Sequence, residues 1–330
     1  MTKTLTVGII GAGICGLIAA QTLTKNGYEV WLLEQSPEVG GRMATHRIGE
    51  AVFDSGAQFF TGRSPEFCAL IDEMQDAHVT RQWYCGYPSQ NICKDESYPR
   101  FCGAQGMTDV PQYLAQELTL HLNETVQRID CVDEKWRVAT GNVFWADALI
   151  LTPPVPQSLT FFKGNFVLPS ITWRALDKIT YEPCWSVLAQ LNGLSQIPAP
   201  GALHLEDGMF SWIADNHQKG ISPRPGSVTI HASGDWTKEH LDQAPEAVAT
   251  LLVEAAQKYL GRTVITAQAH YWRYAKPVVT HDAPFYYVGY PAPIFFAGDA
   301  FVSPGAGPRV EGAALSGLAA ARALNELFNN

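Results

Sequence analysis

The pattern that most constrains this chain is Gly11-Ala12-Gly13-Ile14-Cys15-Gly16, set between two segments of different periodicity. Before it, Thr4 to Ile10 is a short apolar run with Thr and Val, which predicts a strand buried on both faces. After it, Leu17, Ala19, Ala20 and Leu23 recur at helical spacing as far as Lys25, and Gly27 supplies the stop. Tyr28 to Glu34 reads as a second strand, so about 30 residues spell β-α-β with glycines at the first turn. The glycines have separate tasks: Gly11 permits the tight turn, Gly13 lets backbone approach a pyrophosphate, and Gly16 lets helix and strand pack closely. The helix N-terminus offers free N–H groups and the positive end of its dipole to phosphates. Glu34, about 20 residues on, is placed to accept ribose hydroxyls and would repel a 2′-phosphate. A tight turn that binds nothing is the plainer alternative, and the strand, helix and acid around the motif weigh against it.

At 330 residues the chain has room for two domains of about 150 each. Hydrophobic residues make up 46% and charged residues 17%, so it can bury a sizeable core and lacks the signature of disorder. With 23 Lys+Arg against 32 Asp+Glu the net charge is −9, which repels a polyphosphate backbone; nucleic acid is not an expected partner. The 7 cysteines (15, 68, 85, 93, 102, 131 and 184) include no C-x-x-C pair, so neither a disulfide framework nor a metal site is expected. No signal peptide and no membrane-spanning run are read, and the expected compartment is cytoplasmic. G-x-S-x-G, H-E-x-x-H and P-loop motifs are missing, and the histidines are scattered.

Further along, Ser64 to Arg100 is aromatic and turn-rich, and Met107 to Leu122 reads as a helix with Val110, Leu114, Leu118 and Leu122 four apart. Val143 to Leu151 reads as one strand, ending in Thr152-Pro153-Pro154-Val155-Pro156, where the prolines predict a crossing between domains. Between Ile179 and Tyr274 come strands at Ser186 to Leu191, Met209 to Ala214, Val228 to His231 and Thr266 to Tyr274, and a helix from Pro245 to Tyr259. Ile294 to Ala297 is a strand and Gly312 to Phe328 a closing helix. The expected class is α/β: a Rossmann-like domain assembled from 1–63, 101–156 and 267–330, interleaved with a mixed-sheet α+β substrate domain from 64–100 and 157–266.

Two more elements decide which dinucleotide. Gly40-Gly41-Arg42-Met43 brings glycine backbone and a guanidinium to the region of the same phosphates, which a plain NAD dehydrogenase does not need. Phe295-Phe296-Ala297-Gly298-Asp299 ends a strand near the C-terminus, followed by Arg309-Val310-Glu311-Gly312-Ala313 opening a helix. Asp299 suits a ribityl hydroxyl, and a helix start suits the flavin C2 carbonyl, where reduced flavin gathers negative charge. The combination points to FAD.

These segments, with Asp54-Ser55-Gly56-Ala57-Gln58-Phe59-Phe60-Thr61, resemble the flavin-containing amine oxidase superfamily. Within it the chain is most similar to the renalase family, through the Gly-Ala-Gln-Phe-Phe-Thr stretch, Trp212-Ile213-Ala214-Asp215-Asn216, Ile230-His231-Ala232-Ser233 and Ala269-His270-Tyr271-Trp272-Arg273-Tyr274-Ala275. The resemblance spans nearly the whole chain. It implies a two-domain flavoprotein with noncovalent FAD that oxidises 2- and 6-dihydro isomers of NAD(P) to β-NAD(P)+, reducing O2 to hydrogen peroxide. The cofactor set it implies is Gly11, Ala12, Gly13, Ile14, Cys15, Gly16, Glu34, Gln35, Gly41, Arg42, Met43, Gln58, Phe59, Phe60, Val126, Thr152, Gly298, Asp299, Arg309, Val310 and Ala313. Position 38 is Glu, so the first Arg of the R-x-G-G-R pattern common in the wider superfamily is missing.

The substrate-positioning set is His231, Trp272, Asn216 and Gln58. A dihydropyridine carries a labile hydride whose loss restores aromaticity, so positioning rather than a strong base is the main requirement. Plainer readings stand beside these residues: a hydrogen-bonded core histidine for His231, core packing for Trp272, and a surface turn for the Pro/Gly-rich loop Ser303 to Pro308. Two other functions stay open, an amine or amino-acid oxidase on the same scaffold and a non-catalytic FAD- or nucleotide-binding regulator. A monomer or dimer is expected.

Overall fold

A computed structural model describes residues 4–86, 98–162, 168–206, 208–302 and 307–329. Cys93 and most of the Ser303 to Pro308 loop lie outside the described residues. The chain divides into two compact units, Met1–Gly41 with Pro111–Thr180 and Pro277–Asn330, and Arg42–Val110 with Tyr181–Lys276. These boundaries differ from the sequence expectation at each crossing. Residues 42–63 and 101–110 belong to the second unit, because the strand Ala51–Asp54 is hydrogen-bonded to partners around residues 216 to 229. The prolines after Thr152 do not cross between units; they start a helix, Val155–Thr160, whose first turn has no need of their missing N–H groups. Residues 267–276 stay in the second unit as part of one long strand, Val264–Val279.

The first unit is built on a six-stranded sheet in the order Tyr286–Val288, Ile294–Phe296, Ala148–Leu151, Thr6–Ile10, Glu29–Leu33, Leu120–His121. All neighbours pair in parallel except the first two strands. The central strand Thr6–Ile10 is buried almost throughout, as its apolar composition requires of a parallel strand. The helix Ile14–Lys25 follows it, and the long C-terminal helix Val310–Asn329 packs against that helix. Contact is close because Gly317 has no side chain: a Cβ there would lie 2.1 Å from the Cys15 carbonyl oxygen.

Two expectations fail here. The helix predicted over Met107 to Leu122 stops at Leu114; Glu117 takes φ 63°, and Leu120–His121 pairs with the open edge at Leu32 and Leu33. The strand predicted over Val143 to Leu151 breaks at Asp147, whose carboxylate accepts the Thr6 N–H at 2.9 Å. Val143–Ala146 leaves the large sheet to pair with Lys135–Ala139.

The second unit contains a five-stranded sheet in the order Ala202–His204, Phe210–Asp215, Ser227–Ala232, Thr180–Leu191, Val264–Val279. Its two faces differ in chemistry. Val187, Ala189, Ile213, Val228 and Ile230 form a core with Val248, Leu252 and Ala256 of the helix Pro245–Leu260. The alternate residues Ser186, Gln190, Asn216, Thr229 and His231 make the other face polar.

Candidate active site

Within the first unit the glycine loop is shaped for a ligand. Gly11 has φ +95°, which only glycine adopts without strain, and a Cβ on Gly16 would lie 2.0 Å from the Gly11 carbonyl oxygen. A Cβ on Gly13, by contrast, would meet nothing within 4 Å. Gly13 caps the helix Ile14–Lys25, with no side-chain cap and no acid in the first turn, so the helix end keeps its positive character. The Glu34 carboxylate accepts the Ala12 and Ser36 N–H groups, both at 2.9 Å, and retains lone pairs for a ribose diol. These features fit a bound dinucleotide.

The other predicted cofactor elements of this unit gather around that loop. Gly40 donates to the Ala12 carbonyl at 2.9 Å, bringing Gly41 beside the motif. Thr152 spends its hydroxyl on the Ile10 and Gly11 carbonyls (2.8 and 3.1 Å) and therefore braces the turn. Gly298, at φ +141°, has its Cβ position 3.5 Å from the Thr152 carbonyl and donates its N–H to Ser316 Oγ. The Glu124 N–H donates to the Glu34 carbonyl, which fixes the approach of the chain to Val126. Gln35 is exposed and accepts from Gln157. Ile14, Cys15 and Asp299 are buried, whereas Arg309, Val310 and Ala313 at the start of the last helix are partly exposed.

The remaining predicted residues lie in the second unit. Arg42 donates to the Ala275 carbonyl at 3.2 Å and lies over the Tyr181 ring; Met43 and Phe60 are buried. Gln58, His231, Trp272 and Asn216 all converge on the segment that follows the strand Ala51–Asp54. The Ser55 carbonyl accepts both His231 Nε2–H at 2.9 Å and Trp272 Nε1–H at 3.0 Å. Asn216 accepts the Asp54 N–H and donates to Thr229 Oγ1, which itself donates to the Asp54 carbonyl. Gln58 Nε2 donates to the carbonyls of Asp54 and Gly56 at 2.6 and 3.0 Å, so its Oε1 is turned away, buried and unpaired.

A carbonyl only accepts, so the bond to Ser55 places the His231 proton on Nε2 and leaves Nδ1 as an acceptor. Burial pushes the imidazole down from 6.5 to about 4, against the Ser55 bond that favours its charged form; the Lys219 charge adds to the lowering. Unfolding exposes a histidine that protonates near 6.5, so stability is complete above that pH and falls as pH drops from 6.5 towards 4. The loss approaches about 3 kcal/mol. Denaturant midpoints between pH 7 and pH 4.5 are expected to show this limb in the wild type and a shallower one in His231→Gln.

Aromatic rings flank the same segment. Phe59 packs on Trp212 and Tyr84, with Trp83 edge-on to both of the latter. The Arg100 guanidinium lies 4.5 Å from the Phe59 ring centroid and Lys219 Nζ 4.9 Å from that of Trp83. Lys219 is paired with Asp54 at 2.5 Å, both wholly buried.

Sequence reasoning missed Lys219 and Ser186. Lys219 sits in a polar turn that reads as exposed, and no local pattern marks it. Ser186 had a signal: Cys184, Ser186 and Gln190 interrupt the apolar run at period two, the mark of one polar strand face.

Loop and sheet define a Rossmann-type dinucleotide-binding protein, and residues 9–74 match the NAD(P)-binding Rossmann-like domain. Residues 74–325 match the flavin containing amine oxidoreductase family, to which the chain belongs. Its cofactor is accordingly FAD. Putrescine oxidase of Kocuria rosea is 38% identical over 68 residues, 21% of this chain and 14% of that protein. A candidate protoporphyrinogen oxidase structure from Exiguobacterium sp. 255-15 superposes with TM-score 0.76 at 14% identity, covering 99% of this chain and 100% of that one. Wild-type putrescine oxidase bound to putrescine gives TM-score 0.73 at 15% identity over 99% of this chain and 100% of that one. The curated matches are short, spanning about a sixth or less of each relative's length. Among the described residues no helix is long and apolar enough to cross a membrane.

Proposed function

We propose that this chain is an FAD-dependent oxidase of the renalase type, acting on 2- and 6-dihydro-NAD(P) with O2 as final acceptor and yielding β-NAD(P)+ and hydrogen peroxide. FAD supplies the two-electron acceptor; the residues of the first unit that would hold it are the Gly11 to Gly16 loop, Glu34, Gly41 and Gly298. The observation that carries the reading is the state of His231: neutral, with its one N–H committed to Ser55. Because burial holds the imidazole down at about 4, its open Nδ1 is too weak a base to draw a proton from carbon, and a dihydropyridine asks for none. His231 and Trp272 act together by holding the Ser55 to Phe59 segment in place.

The aromatic cluster supports the same choice. Arg100 and Lys219 already occupy ring faces of Phe59 and Trp83, so a cationic amine finds like charges where an amine-binding cage would offer open π faces. An anionic dinucleotide meets no such cost. Family membership favours a second reading, oxidation of an amine or amino acid.

Anaerobic mixing of the purified yellow protein with isomeric dihydro-NAD(P) decides between them. The flavin band is expected to bleach within seconds with the dihydro isomers and to persist with putrescine, monoamines and amino acids. Bleaching by amines alone would establish the second reading.

A further inference from the structure

Across the sheet of the second unit, His231 stands directly between Trp212 on one neighbouring strand and Ser186 on the other. Directly opposed residues of antiparallel strands project from the same face, so the three side chains form one row. Ser186 Oγ and Trp212 Nε1 are both buried without a hydrogen-bond partner among the described residues. His231, the partly exposed member, has its Nε2–H on the Ser55 carbonyl, which leaves Nδ1 as an acceptor. Buried donors and acceptors without partners cost stability. A ligand that completes them removes that cost.

We infer that the row Trp212–His231–Ser186 recognises a neutral primary carboxamide on the substrate ring, with Ser186 a specificity-determining residue. The inference rests on the dihydronicotinamide reading and deepens it. An indole nitrogen only donates, the Nε2–H tautomer of His231 accepts at Nδ1, and a serine hydroxyl does either. A carboxamide matches this order: its NH2 donates to Nδ1 while its oxygen accepts from Trp212 or Ser186. A carboxylate brings a second lone pair to Nδ1. An ammonium brings donors to a row that already holds two.

The test measures anaerobic flavin reduction in the holoenzyme with 6-dihydro-NAD, its 3-acetylpyridine analogue, which lacks the NH2 donor, and its nicotinic-acid analogue, which carries a carboxylate. Wild type is expected to prefer the amide over the acetyl compound by about three- to ten-fold in reduction rate over Kd, the worth of one neutral hydrogen bond. Rejection of the acid is expected to exceed about a hundred-fold, since it leaves a site built for hydrogen bonding mispaired. Ser186→Ala and Trp212→Phe are each expected to shrink the preference for amide over acid, at unchanged flavin content. Equal reduction by all three compounds in wild type overturns the inference and leaves the dihydronicotinamide reading standing. Bleaching by amines and by none of the three removes both. Should Ser186→Ala fail to retain flavin, the three-substrate comparison in wild type decides alone.

Discussion

Lys219→Met is expected to lower the free energy of unfolding by about 3–5 kcal/mol, the usual consequence of removing one partner from a buried ion pair. Lys219 Nζ and Asp54 Oδ2 are 2.5 Å apart and neither side chain has any exposure. The other carboxylate oxygen of Asp54 accepts the Met107 N–H at 2.8 Å and the Thr45 hydroxyl at 2.6 Å. Without the ammonium, a carboxylate remains in a place water cannot reach. Damage is expected to spread to activity, because the backbone N–H and carbonyl of Asp54 are gripped by Asn216 and Thr229, and the next carbonyl is the one that His231 and Trp272 hold. Urea unfolding followed by tryptophan fluorescence measures the loss. Asp54→Asn combined with Lys219→Met is expected to recover much of it by removing the stranded charge, a coupling that a double-mutant cycle reads directly. A loss below about 1 kcal/mol for the single variant would contradict a pair held in low dielectric.

Gly16→Ala and Gly13→Ala are expected to fail differently, although each adds one methyl group to the same loop. At position 16 the new Cβ would lie 2.0 Å from the Gly11 carbonyl oxygen and 3.2 Å from Thr152 Oγ1. That oxygen is hard to displace, because the Gly11 N–H is bound to the Leu33 carbonyl at 2.8 Å and Thr152 clasps the turn from the other side. Overpacking of this kind costs about 1–3 kcal/mol, so Gly16→Ala is expected to melt earlier even as apoprotein and to purify with at least about ten-fold weaker FAD retention. Gly13→Ala has free space in the protein and is expected to leave apoprotein melting unchanged, losing affinity only where the ligand's phosphates must come close. Flavin absorbance per chain and apoprotein melting separate the two. If both variants keep FAD, the loop does not hold it.

The β-α-β unit was legible because each of its determinants is local: an apolar run for the buried strand, small residues at helical spacing, and glycines at the turn. The Pro245–Leu260 helix was legible for the same reason. The expectation over Met107 to Leu122 failed although its leucines keep helical spacing, because unpaired backbone groups at the edge of Glu29–Leu33 offered Leu120 and His121 a ladder instead. Asp147 interrupted a continuous apolar strand for a similar reason, through hydrogen bonds of its carboxylate and its N–H with Thr6, 141 positions away.

For the site, sequence by itself determined which residue types were present and that a dinucleotide loop opens the chain. Asn216, His231 and Trp272 were named from resemblance, yet nothing in their neighbourhoods says that His231 and Trp272 share one acceptor, the Ser55 carbonyl, 176 and 217 positions away. Nor does composition tell that Lys219 is buried on Asp54 or that Ser186 lies beside His231. Periodicity and turn chemistry act over a few residues and are written in the chain. The protonation state of His231 and the unpaired atoms beside it depend on burial and on strand register, and these exist only once distant segments have packed together.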